Sequence, residues 1–146
     1  MMARVGVLIA VALLVASGSV PAAEMMSGAA TKELDTAIAH AKNAAGASST
    51  AQVELHLHHV VNCLEGKNGK NYFKPSGDVC EGQGNGIFAD LKDSGMPGAH
   101  ALPYAEIGNQ VALWGISKGM ANDVGRAKAA AQMAKLILDQ SKANFK

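Results

Sequence analysis

Residues 34–66 read LDTAIAHAKNAAGASSTAQVELHLHHVVNCLEG and carry most of the information about the architecture. Apolar residues recur at helical spacing up to Gly46, which is a typical residue just past a helix end. The Ser-Ser-Thr run that follows offers N-caps for a second helix, whose apolar stripe continues until Gly66. Because the polar connection is short, the two helices are predicted to pack as an antiparallel hairpin.

From this hairpin we predict an all-α fold, an up-and-down bundle of four helices with a long glycine-rich loop between helices 2 and 3. Pro103 is a favoured residue for the start of the third helix. Beyond it, the apolar pattern stays in phase, as in one long helix, whereas Gly115, Gly119 and Asn122 supply a break that gives helices of matched length. We take the broken version. The predicted elements are helix 1 at 27–46, helix 2 at 49–66, the loop at 67–102, and helices 3 and 4 within 103–143.

The first residues are typical of a secretory signal peptide. Arg4 supplies the positive charge, residues 5–16 form an apolar run, and small residues follow it. The run is about 12 residues long, and a membrane span needs about 20. We therefore predict a signal peptide at 1–22, a mature single domain at 23–146 without a membrane span, and a periplasmic or secreted location.

Composition excludes several classes of function. The chain has 13 basic and 12 acidic residues, so it lacks the excess of positive charge that nucleic-acid binding needs. No serine or cysteine nucleophile has a recognisable base and orienting acid in its sequence context, and we predict that the protein is not an enzyme. Aromatic residues make up only 4% of the chain, so that alanine and small aliphatic residues must fill the core.

The two cysteines predict a disulfide. Cys63 lies near the end of the second predicted helix and Cys80 in the glycine-rich loop, and an even pair in an exported protein most often forms a bridge. A closed loop of this size stabilises the fold by roughly 3 kcal/mol. The alternative is that Cys63 is a metal thiolate or a haem attachment point, although a Cys-x-x-Cys-His motif for ordinary c-type haem is absent from the sequence.

Histidines form the candidate site. His40 precedes the hairpin turn by about as many residues as His56 follows it, which places the two at one height on adjacent helices. His59 lies one turn beyond His56 on the same flank, and the helical wheel turns it and His58 further towards solvent. Imidazole is a common ligand of copper, zinc and iron. We predict a metal centre at His40, His56 and His59, although the wheel does not decide whether these residues share one side of the hairpin. The fifth histidine, His100, lies in the predicted loop.

Residues 34–46, with a His-Ala-Lys motif at His40 and a histidine-bearing helix after it, resemble the small metal-binding protein family. Members of that family are exported helical bundles with alanine-flanked histidine motifs that bind copper and other divalent metals. The resemblance covers residues 31–66. It implies a metal-binding role, but the chain has far fewer histidines than the family, none after His100, and a loop bracketed by cysteines. These departures imply one or two sites at most.

Several alternatives stay open at this point. The centre could hold copper or zinc, or the iron of a b-type haem between His40 and a histidine of the second helix, for metal handling or electron transfer. The rival hypothesis is a non-catalytic interaction module that contacts a periplasmic protein partner through the Cys63–Cys80 loop. Four loop residues could also supply oxygen ligands for calcium, although their spacing is not that of an EF-hand. They are Asp78, Glu81, Asn85 and Asp90.

Overall fold

The computed structural model describes the backbone of residues 22–146 and the side chains of residues 28–146. Over this range every regular element is a helix, as predicted. The predicted signal peptide lies outside the described residues except for Ala22, the first residue of the first helix. The elements are α1 (Ala22–Gly46), α2 (Thr50–Glu65), a 3₁₀ turn (Lys74–Ser76), α3 (Ile87–Asp93), α4 (Gly95–Ile116), α5 (Lys118–Ala121) and α6 (Val124–Asn144).

Four long helices pack against one another around a single core. α1 contacts α2 and α6, and α4 contacts α6 and α2. The hairpin of α1 and α2 begins its second helix with Ser49, whose hydroxyl accepts a hydrogen bond from the backbone N–H of Gln52 at 3.3 Å. Its second helix ends before Gly66, where φ is +67°, a backbone conformation that favours glycine. The largest buried side chains come from both helices of the hairpin, from α3 and from α6. They include Leu34, Leu57, Leu64, Leu91 and Leu138.

The segment predicted as a loop at 67–102 is more ordered than expected. It contains the 3₁₀ turn and α3, and α4 already begins at Gly95 instead of after Pro103. Gly95 has a φ of +66°, which allows the sharp turn from α3 into α4, and Pro97 lies in the first helical turn, where proline is tolerated. Pro103 therefore lies inside the helix. Its side chain is exposed, so the carbonyl that loses its hydrogen bond can be solvated.

The core face of α4 consists of small residues. Ile107 and Trp114, which share an apolar stripe in the sequence, are each 52% exposed. The buried residues of this helix are Gly98, Ala101, Ala105, Gly108, Asn109, Ala112 and Gly115. They let neighbouring helices approach closely: a Cβ at Gly108 would lie 2.8 Å from the Leu138 side chain of α6. The helix thus packs through its smallest side chains, which the hydrophobic pattern does not reveal.

Residues 103–143 form two long helices with a short one between them. α4 ends at Ile116, the single turn of α5 follows, and α6 starts after Asp123. The Asp123 carboxylate caps α6 by accepting a hydrogen bond from the backbone N–H of Arg126 at 3.1 Å.

Cys63 and Cys80 form a disulfide that fastens the segment after α2 to the end of that helix, with Cα atoms 5.4 Å apart. Cys63 is therefore not available as a thiolate ligand. Disulfides persist in oxidising compartments, so the bridge fits an extracellular type of protein. No helix within residues 22–146 is long and apolar enough to cross a membrane.

Gly98 gives the first prediction. A Cβ at this position would overlap the backbone carbonyl of Leu91 at the end of α3, and backbone cannot move aside as a flexible side chain can. We expect Gly98→Ala to lower the free energy of unfolding by about 2 kcal/mol or more, measured by urea denaturation.

The matched control for this substitution is Gly119→Ala in α5. There a Cβ would meet nothing within 4 Å, so the substitution is expected to be neutral or slightly stabilising. Equal free energies of unfolding for the two variants would show that α3 and α4 are not in close contact at Gly98.

Candidate metal centre

Three histidines from two helices meet on one flank of the hairpin. The Nδ1 atom of His40, on α1, lies 3.1 Å from Nδ1 of His56 and 3.1 Å from Nδ1 of His59, both on α2. One ligand atom from each residue falls within 4.8 Å of the others, close enough to bind one metal ion. The hairpin register brings His40 level with His56, and the structure answers the question that the helical wheel left open: the three residues share one side.

His59 is more buried than the helical wheel predicts, with 8% of its surface exposed. The segment after α2 folds back over this flank, and Nε2 of His59 lies 2.7 Å from the backbone carbonyl of Ser76. A carbonyl can only accept, so Nε2 carries the proton and donates it. In the neutral ring Nδ1 then has a free lone pair, and that lone pair is directed at His40. The hydrogen bond from Nε2 to the Ser76 carbonyl thus fixes the tautomer of His59 in which Nδ1 is free to bind a metal.

Asn62 holds the Ser76 carbonyl in place. Its side chain is fully buried, and its amide N–H groups donate to the carbonyl oxygens of Phe73 at 3.1 Å and Gly77 at 2.8 Å. They also donate to the hydroxyl of Ser76 at 3.1 Å, and the amide oxygen accepts from the backbone N–H of Phe73 at 2.8 Å. Sequence reasoning missed this residue. The available signal was a polar residue within the buried run Val60–Leu64, three positions after His59.

The spacing of the three nitrogens suits a metal ion. At metal–nitrogen distances of about 2.0–2.1 Å, two tetrahedrally arranged imidazole ligands lie about 3.3 Å apart, close to the observed 3.1 Å. Without an ion the cluster is poorly satisfied. The Nδ1 atom of His40 has room for a single proton, which can point fully at only one of its two neighbours. A cation that accepts all three lone pairs removes this conflict.

Protonation of the cluster is disfavoured. Burial and, to a smaller extent, charge repulsion from His59 and His56 together lower the pKa of His40 to about 4. Burial, followed by repulsion from His59, also lowers the pKa of His56. At neutral pH both rings are therefore uncharged and keep the lone pairs that metal ligands require.

The pKa of His40 gives a prediction for the metal-free protein. Because this pKa is about 4 in the folded chain and 6.5 ordinarily, the unfolded chain binds more protons between these values. The contribution of His40 to stability is thus complete above pH 6.5 and is lost as the pH falls towards 4. The test is urea denaturation at several pH values with a chelator present. In this pH window, His40→Gln should reduce the slope of the free energy of unfolding against pH by up to the amount that about one bound proton contributes. An unchanged slope in His40→Gln would contradict the assignment.

The other two histidines lie apart from the cluster. His58 stacks on Phe73, with ring centroids 4.2 Å apart and an interplanar angle of 26°. His100 is exposed on α4, not in a loop as predicted from the sequence. The structure therefore brings together the three histidines selected from the sequence and leaves these two outside.

An open surface cavity of about 500 Å³ adjoins the cluster at His56. Its walls come from the hairpin turn and include Lys42, Ser48 and Gln52. The cavity therefore lies open to solvent beside one of the three histidines.

Comparison of the chain with protein-family models, curated protein sequences and solved structures gave no match.

Proposed function

We propose that this protein binds one transition-metal ion through the Nδ1 atoms of His40, His56 and His59 and that it handles this metal outside the cytoplasm. The observation that carries the proposal is the convergence of three imidazole nitrogens, two pairs of them 3.1 Å apart, from helices that meet through the hairpin. The resemblance to the small metal-binding protein family supports the same role. The disulfide and the predicted signal peptide support export.

Copper and zinc are the ions that fit this ligand set best. Three neutral imidazoles are borderline ligands, which suit Cu²⁺ and Zn²⁺ better than calcium or magnesium. Three protein ligands leave one coordination position for water or a small anion, unlike a closed structural zinc site with four. An open position at the surface allows the ion to be exchanged, and for this reason we favour metal storage or delivery over a purely structural role.

We favour a bare ion over haem. A haem iron with two histidine ligands binds them on opposite faces of the porphyrin, whereas the three rings here converge on one point, with centroids 4.6–5.8 Å apart. Residues 73–77 support His59 through the Ser76 carbonyl. We therefore assign the segment between the cysteines to the metal centre and not to contact with a protein partner.

Metal analysis of the purified protein tests this proposal. The protein should be produced without a histidine tag, stripped with chelator, and dialysed against limiting Zn²⁺ or Cu²⁺. We expect about one ion per chain with an affinity tighter than about 1 µM, measured by competition with a chromophoric chelator. A Soret band in the protein from its native source would favour haem instead. Binding of less than one ion per chain at micromolar concentrations would refute the proposal.

A further inference from the structure

A second cluster of chemically active groups lies under the glycine-rich residues 82–86. Glu33 on α1 is 1% exposed and Asp90 on α3 is fully buried. Both carboxylates flank Gly84: a Cβ on this glycine would overlap Oδ2 of Asp90 and lie 2.9 Å from Oε1 of Glu33. Two buried acidic groups from distant parts of the chain are thus held close together.

Hydrogen bonds only partly satisfy this pair. Oε1 of Glu33 accepts from the backbone N–H of Gly86 at 3.0 Å, and Asp90 accepts from the backbone and side-chain amides of Asn85 at 3.2 and 3.3 Å. Oε2 of Glu33 is buried, and within residues 28–146 no donor points at it. None of the ion pairs in this part of the chain includes Glu33 or Asp90. Among the described residues, neither carboxylate of the pair is therefore neutralised by an ion pair with a protein cation.

The electrostatics of the pair require one positive charge. Burial is the main cause that raises the pKa of Glu33, to about 8 in total, against the opposing hydrogen bond from Gly86. Asp90 acts in the same direction as burial through charge repulsion and a side-chain hydrogen bond, and Asp78 through charge repulsion. Two adjacent buried carboxylates cannot both be ionised without a counter-charge. Either a proton on Glu33 or a bound cation can supply that charge.

A cavity beside Glu33 provides room for a cation. It has a volume of about 220 Å³, and its walls include Asp78, Glu81 and Asn85 as well as backbone of the glycine-rich segment. Lys67 also lines it, but its ammonium group pairs with Glu81 at 2.6 Å at the exposed rim. Asp78, Glu81 and Asn85 each carry side-chain oxygen atoms that can bind a cation.

We propose that Glu33 and Asp90 form the buried end of a calcium site, which Asn85 and Asp78 complete from the glycine-rich segment. Carboxylate, amide and carbonyl oxygens are the ligands of hard cations, and calcium accepts the irregular arrangement of a loop more readily than magnesium does. Calcium sites of extracellular modules have dissociation constants of about 10⁻⁴–10⁻³ M, so moderate affinity is sufficient. This site is independent of the histidine centre, and each proposal can fail alone.

Calcium binding should stabilise the folded chain and displace the proton of Glu33 into solvent. The melting temperature measures the first effect and infrared spectroscopy the second. In purified, disulfide-bonded protein at pH 6.5, about 10 mM calcium chloride should raise the melting temperature by about 4 °C or more relative to EGTA. Infrared spectra should show a protonated carboxylic acid in EGTA and its loss in calcium. Magnesium chloride at the same concentration should have a smaller effect on both.

Glu33→Gln is the informative variant because a glutamine imitates the protonated carboxyl and can keep the contact with Gly86. It should fold in EGTA and lose the calcium-induced rise in melting temperature. Asp93→Asn, at an exposed acidic residue in the last position of α3, is the matched control and should keep the full response.

Three results would overturn the proposal. The first is an unchanged melting temperature with a persistent carboxylic acid band, which would mean that a shared proton alone neutralises the pair. The second is a calcium response that survives in Glu33→Gln, and the third is an equal response to magnesium. If Glu33→Gln does not fold, the infrared measurement on the unsubstituted protein decides the question.

Discussion

Replacing His40 with alanine is expected to weaken metal binding by more than about 100-fold, which corresponds to about 2.7 kcal/mol. His40 is the only one of the three candidate ligands that α1 supplies, and its Nδ1 atom is 3.1 Å from the Nδ1 atoms of both others. Without it, two histidines of α2 remain, spaced three residues apart on one helix. Loss of a direct ligand should exceed the 10–100-fold effect typical of the groups that orient ligands. Competition titration with a chromophoric chelator measures the change.

His58→Ala is the matched control for this substitution. His58 lies on α2 next to His59, but it stacks on Phe73 and contributes no atom to the cluster. The metal affinity of the His58→Ala variant should therefore remain within a few-fold of that of the unsubstituted protein. Equal losses in the two variants would mean that histidine content or general destabilisation, and not the three-nitrogen cluster, governs binding.

The sequence predicts the hairpin and the height of its histidines because both follow from local rules. Gly46 and Gly66 end the two helices, and the rise per residue then places His40 level with His56. The side on which the two rings meet depends on how α1 and α2 rotate against each other. That rotation is set by packing with α4 and α6, which no local pattern contains.

The burial of His59 could not be predicted for a related reason. A helical wheel describes one helix in isolation, and on it His59 faces solvent. In the structure the segment that follows α2 folds back over this flank, where Asn62 and the disulfide hold it against α2. Glu33 illustrates the same limit. The sequence offered Asp78 and Asp90 only as a weak alternative for oxygen ligands, and it gave no sign that Glu33, 57 positions before Asp90, lies beside them.

Small residues explain why the hydrophobic pattern of α4 does not reveal its core face. A hydrophobic stripe through Ile107 and Trp114 suggests the core face of α4, yet close approach to α6 requires Gly108 and Gly115 on that face. Pattern reasoning ranks residues by hydrophobicity and passes over glycine. On α4, close backbone approach replaces large side chains as the means of filling the core.

The second large effect is expected at Asn62, which connects the disulfide-bonded segment to the metal centre. Asn62→Leu keeps the branched shape of the side chain but removes the hydrogen bonds to Phe73, Ser76 and Gly77. An intramolecular hydrogen bond contributes about 0.5–1.5 kcal/mol net, and the Asn62 side chain makes four, so we expect the free energy of unfolding to fall by about 3 kcal/mol. The carbonyl of Ser76 should also lose its fixed position against His59, and metal affinity should fall by about 10–100-fold.

Asn109→Leu separates these two consequences. Asn109 is also buried, at 3% exposure, and donates a hydrogen bond to Glu65 at 2.7 Å, but it supports no histidine of the cluster. It should lower the free energy of unfolding while leaving the affinity of the folded protein for metal unchanged, because the Ser76 carbonyl still fixes the tautomer of His59. If Asn62→Leu bound metal as tightly as the original chain, the hydrogen bond from His59 to Ser76 would have no role in orienting the ligand. Loss of affinity in Asn62→Leu alone would show that a buried amide controls metal affinity without touching the metal. It would do so by positioning the Ser76 carbonyl, which accepts the Nε2 proton of His59.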